Sequence, residues 1–294
     1  MTNEFSNILP KDSVVEKLNH EPFVFIEGPV WDKEKKQLYF SDPLARTIIV
    51  MKETGKFHIL CADTGYVNGM CLNNRGNLAV CNMENGSLDE ICTETGETLA
   101  IIASGYENRP FNATNDVVCD EKGGYYVTDP FFLYGPKAQD VEATYYCAPN
   151  GVVTRVATDS VKPNGLAFSL DGKKLYIDDT GATAVWSYCI LPDGTLSKGT
   201  IICNLKPPEN TADLPKVQQH GEADGMKVDE CGNIYVTTYS GIQVFCPEGE
   251  LLGIIKMPGD ETPANCEFGD ADRKTLYITA RTSLYKVRLN VAGA

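Results

Sequence analysis

The stretch Ala223-Asp-Gly-Met-Lys-Val-Asp-Glu-Cys-Gly-Asn-Ile-Tyr-Val-Thr-Thr-Tyr239 decides the fold, because variants of it occur six times along the chain. It opens with a short polar residue and Gly, continues as an apolar strand, and turns at Glu230-Cys-Gly-Asn233. A second strand, Ile234-Tyr-Val236, then ends in small polar residues. Gly between two alternating runs is a hairpin signal, since it accepts positive φ without a Cβ clash. Five other segments fall into register: Glu27-Gly-Pro-Val-Trp with Leu38 to Asp42, Asn68-Gly-Met-Cys-Leu with Leu78 to Asn82, and Asn115-Asp-Val-Val-Cys with Tyr125 to Asp129. Asn164-Gly-Leu-Ala-Phe runs to Asp179, and Cys266-Glu-Phe-Gly runs to Thr279. A period of about 40 to 50 residues with strand patterning means propeller blades of about four strands. The expectation is an all-β, six-bladed β-propeller forming one domain over residues 1–294.

Residues 1–12 read as a loose leader, and Ser13 to Leu18 as a strand that completes the last blade and removes the open edges at the seam. Outer-strand pairs are legible as Thr47–Met51 with Phe57–Leu60, Val185–Cys189 with Thr200–Cys203, and Gly241–Phe245 with Leu251–Ile255. Two connections are long, 129–146 and 205–222. Loops of that length in a compact domain carry function or lack order. Phe131, Phe132 and Tyr134 suit the first to a pocket wall.

Bulk properties exclude several functions. A net charge of −14 argues against nucleic acid and anionic membranes, whose phosphates need clustered Lys and Arg. No apolar run approaches the ~20 residues of a membrane span. Neither a basic start nor an apolar segment marks a secretory signal, so the 11 scattered cysteines are expected as reduced thiols in the cytoplasm. No Cys-x-x-Cys, HExxH, Gly-x-Ser-x-Gly or P-loop pattern occurs, which removes support for zinc, serine-hydrolase and nucleotide sites.

The residues that open the copies are Glu27, Asn68, Asn115, Asn164, Asp224 and Cys266. Equivalent positions in a propeller form a ring around the channel, and five of these six carry oxygen. Asn or Asp before Gly is common turn chemistry, but a turn cap needs no Glu. Oxygens converging on one axis stay unpaired or repel unless a cation joins them, and all-oxygen ligation selects a hard ion such as Ca²⁺.

Four motifs carry a family resemblance: Phe25-Ile-Glu-Gly-Pro-Val-Trp31, Arg109-Pro-Phe-Asn-Ala-Thr-Asn-Asp-Val117, Pro163-Asn-Gly-Leu-Ala-Phe-Ser-Leu-Asp171 and Ala223-Asp-Gly-Met226. Together they resemble the gluconolactonase/regucalcin family of six-bladed propellers over about residues 14–290. The resemblance implies hydrolysis of sugar or related lactones, with one divalent cation held by Glu27, Asn115, Asn164 and Asp224. Ca²⁺ stands first, with Mg²⁺, Mn²⁺ or Zn²⁺ as alternatives. It further implies that Arg109 and Asn112 contact substrate oxygens, although Ala113-Thr114 departs from the family's usual Ser-Pro form. Asp224 and Asn115 are the candidate catalytic residues, Asp224 as general base or water-orienting carboxylate. Asn68 is a further channel candidate, and His220, four residues before Asp224, a proton shuttle at the site's edge. The expected partner is a small-molecule lactone, and the expected state a monomer or weak homodimer. The alternatives are a phosphotriesterase or arylesterase on the same scaffold, and a non-catalytic calcium-binding propeller.

Overall fold

Each repeated hairpin is extended outward by a second one, giving six antiparallel sheets of four strands. The structure, a computed structural model, describes residues 3–133, 135–208, 222–259 and 261–294. Blade one runs through Glu27–Asp32, Gln37–Asp42, Thr47–Met51 and Phe57–Ala62. The turns work as the sequence implies. At Asp229–Asn233 the Asp229 carboxylate accepts the amides of Cys231 and Asn233 at 2.9 Å each, and Gly232 takes φ of 82°.

The seam closes with Glu16–Lys17, which pairs with Ser283–Arg288 as the outer strand of the sixth sheet. Asn19 fixes that seam: its Oδ1 accepts Leu284 N at 2.8 Å, and its Nδ2 donates to Glu21 O and Thr282 O. The described part of the expected loose leader, from residue 3 on, is not loose. Asn3–Ile8 is a short helix whose Phe5 and Ile8 are buried against blades five and six. Apolar residues at i and i+3 put both on one helix face. The connection after Asp129 is also shorter than expected, because Ala143–Cys147 is the third strand of blade three.

Blades pack face to face through clusters such as Ala79, Leu88, Phe111, Val117 and Tyr145. Cys81, Cys147, Cys203 and Cys266 are buried as small apolar groups, and all 11 thiols are free. Among the described residues no helix is long and apolar enough to cross a membrane.

Two features set the geometry near the axis. Just after the opening residue the inner strand slips register in blades one, two, four and five. Such bulges re-aim side chains. Hydroxyls on the second strands then tie blade to blade: Ser41 donates to Asn68 O, Thr128 to Asn164 O and Thr237 to Ala264 O, at 2.7–2.8 Å.

Candidate metal-centred active site

Those ties fix which residues are equivalent. Gly69 N donates to Asn115 O at 2.7 Å, and Gly225 N donates to Ala264 O at 2.8 Å. The sixth opening position therefore belongs to Ala264. Cys266, expected there from the sequence, lies two residues further on and is buried in the blade core. Glu27, Asn68, Asn115, Asn164, Asp224 and Ala264 all line one cavity of about 720 Å³. Asn164 and Asp224 touch directly, with Asn164 Nδ2 donating to Asp224 Oδ1 at 3.0 Å.

The next position is Gly in blades one, two, four and five, and the glycines are required. A Cβ on Gly69 would lie 2.6 Å from both Asn115 O and the Asp116 Cα. Blades three and six carry Asp116 and Asn265 there instead. The Asn265 side chain hydrogen-bonds Asp116, which also accepts Val117 N at 2.9 Å.

Burial dominates the electrostatics. It pushes the Glu27 carboxyl well above the usual carboxylate range, and the Asp224 charge adds to this. Burial likewise raises Asp224, to about 7, against the lowering effect of the Asn164 hydrogen bond. Asp116 is raised by burial and moderated by Lys227. Burial alone would lower Lys227, but Glu267, 4.0 Å away, and Asp116 hold it above its usual value. Asp178, on the second strand of blade four, is raised by burial and then by Asp224. Its Oδ1 accepts Gly165 N at 3.0 Å, whereas its buried Oδ2 has no hydrogen-bond partner among the described residues.

The donor set fits a hard divalent cation. Among the described residues no three His, Cys, Asp or Glu side chains cluster for metal binding; the oxygens available on the ring are those of two carboxylates and three amides. Asn164 spends its Nδ2 on Thr180 and Asp224, and its side-chain oxygen has no hydrogen bond among the described residues. The Asn115 side chain makes no hydrogen bond among the described residues. Two carboxylates disfavoured by burial and by each other are the condition that a divalent charge relieves.

Other expected site residues lie elsewhere. Asn112 is buried with Oδ1 accepting Gln139 N and Nδ2 donating to Val141 O, and it does not line the cavity. Arg109 is outside the cavity too, half-exposed and 3.8 Å from Asp140. Asn68 is in the ring, its Nδ2 near the Met83 sulfur at 3.5 Å. His220 and Tyr134 lie outside the described residues. The repeat copies did carry a signal for Asp116 and Asp178, which stand where other copies have Gly or a small uncharged residue. Lys162, Tyr239 and Arg281 also line the cavity; Tyr239 and Arg281 stand at one repeat position, two residues past Thr237 and Thr279, whereas no repeat marks Lys162.

The site is thus a ring of five oxygen-bearing side chains and Ala264 lining one cavity of a six-bladed propeller. The chain belongs to the SMP-30/gluconolactonase/LRE-like family, whose model matches residues 25–282. It is 28% identical to a gluconolactonase of Zymomonas mobilis over 91% of this chain and 79% of that one. It is 27% identical to a pentonolactonase of Haloferax volcanii, over 86% of this chain and 80% of the relative. The solved structure of a gluconolactonase from Xanthomonas campestris superposes with a TM-score of 0.86 at 25% identity, covering 98% and 93% of the two chains.

Proposed function

We propose that the protein hydrolyses the ester bond of a lactone at the oxygen ring, with Glu27, Asn115, Asn164 and Asp224 holding one divalent cation, Ca²⁺ by preference. Two carboxylates and neutral amide oxygens balance a divalent charge and suit a hard ion. When bound, such an ion supplies Lewis-acid polarisation of the lactone carbonyl. The chain's own residues do the rest. Asp224 is the general base: Asn164 Nδ2 occupies its Oδ1, which leaves Oδ2 to take a proton from the attacking water. Asn115, with its amide uncommitted, orients the carbonyl or the water. Asn68 stands beside them as a hydrogen-bonding group on the ring.

The observation that carries this reading is the Asn164–Asp224 contact, which joins openers of two blades 60 residues apart. The assay is hydrolysis of D-glucono-1,5-lactone by acid release, with and without EDTA, then with Ca²⁺ restored. Loss with chelator, recovery with Ca²⁺, and loss in Asp224→Asn and Asn164→Ala are expected. Full rates in both variants would refute the site assignment. Saturable Ca²⁺ binding without turnover of any lactone would favour the non-catalytic alternative.

A further inference from the structure

Given the lactonase reading, on which this rests, we infer that the substrate is a lactone whose ring carries an apolar substituent lying against blades one to three. The cavity of about 720 Å³ falls in the range that encloses drug-sized ligands. Its described wall is divided. Phe25, Leu44, Met83, Phe132 and Leu133 come from the ends of blades one to three, whereas Tyr239, Thr262 and Arg281 come from blades five and six. Leu44 is 60% exposed and Phe132 39% exposed. Large apolar side chains left in water around a concave mouth mark a binding wall.

Outside the ring, several polar groups at or near the cavity are committed within the protein. Thr180 Oγ1 donates to Ala223 O at 2.7 Å, and Thr238 Oγ1 to Gly241 O at 2.8 Å. Lys162 Nζ donates to Phe131 O at 3.1 Å and sits 4.6 Å from the centre of the Phe132 ring. Asn112 is saturated by Gln139 N and Val141 O, and Arg109 faces Asp140 outside the cavity. Hydroxyls placed against Leu44, Leu133 and the ring faces would give up hydrogen bonds to water, with Lys162 at the Phe132 ring and Arg281 at the Phe25 ring the charged donors within reach. An alkyl or aryl group there loses nothing and gains burial.

The test measures kcat/KM of the Ca²⁺-loaded protein on δ-valerolactone, δ-heptalactone, δ-nonalactone and D-glucono-1,5-lactone. The expected result is a rise of at least tenfold from δ-valerolactone to δ-nonalactone, with δ-nonalactone above gluconolactone. Phe132→Asn and Leu44→Asn, both at exposed positions, should each cut the nonalactone-to-valerolactone ratio at least threefold. A flat series, or gluconolactone as the best substrate, overturns the inference and leaves the lactonase reading standing. A rise that survives both substitutions together also overturns it, because the substituent would then lie elsewhere. If none of the four is hydrolysed, the lactonase reading fails and the inference fails with it.

Discussion

Gly69→Ala should damage the site from behind without touching any ring side chain. The added Cβ would lie 2.6 Å from Asn115 O and from the Asp116 Cα, against an ordinary contact of 3.4 Å or more. Relief therefore requires the Asn115–Asp116 main chain to retreat by about 0.8 Å. The hydrogen bond from Gly69 N to Asn115 O couples both strands to the move. Overpacking of this kind costs about 1–3 kcal/mol in stability. Displacing a catalytic group by about 1 Å can cost on the order of 100-fold in rate. The expected result is a folded variant whose kcat/KM on its best lactone falls roughly 10- to 100-fold, with weaker Ca²⁺ binding. Gly172→Ala is the control, since no atom lies within 4 Å of its added Cβ. Its positive φ of 66° costs about 1 kcal/mol in stability but leaves the ring alone. If Gly69→Ala keeps kcat/KM and Ca²⁺ affinity within twofold of the parent, the glycines are not what shapes the site.

Three further outcomes follow from the same geometry. Because burial raises Asp224 to about 7, the fold binds that proton more tightly than the unfolded chain does. The chelator-treated protein should therefore lose thermal stability as pH rises from about 4 to 7, and Ca²⁺ should flatten that slope; a Tm that climbs over this range without metal contradicts the shift. Lys227→Met leaves Glu267 and Asp116 buried without their cation, and denaturant unfolding should show a loss of about 3–5 kcal/mol. Asn19→Ala strips the partner from Leu284 N and should cost about 1–3 kcal/mol, whereas an unchanged midpoint would show that the seam does not depend on it.

The repeats made the blades legible because one hairpin chemistry, a polar residue with Gly, an apolar strand and a Gly turn, recurs at each inner edge. They failed in blade six because Ala264 is neither acid nor amide and Asn265 stands where the cue has Gly. The polar-then-apolar reading therefore slid to Cys266, and only the carbonyl ties from Thr237 and Gly225 fix the true register. The ring itself needed only the spacing. The neighbours that tune it were harder to see: Lys162 lies in a connection, and Tyr239 and Arg281 share a repeat position at which the copies have no residue type in common. Asp116 and Asp178 were visible as oddities within the copies, but their effect required knowing that both are buried near Asp224. The helix Asn3–Ile8 was missed because six residues are too few for periodicity to stand out, and its docking surface is distant in sequence.

Calorimetric titration of chelator-stripped protein with Ca²⁺, paired with lactone hydrolysis on the same samples, tests the central claim most directly. The account predicts one saturable site, absent in Glu27→Gln and Asp224→Asn, with hydrolysis returning in step with occupancy. Undiminished hydrolysis by stripped protein that binds no cation would contradict it.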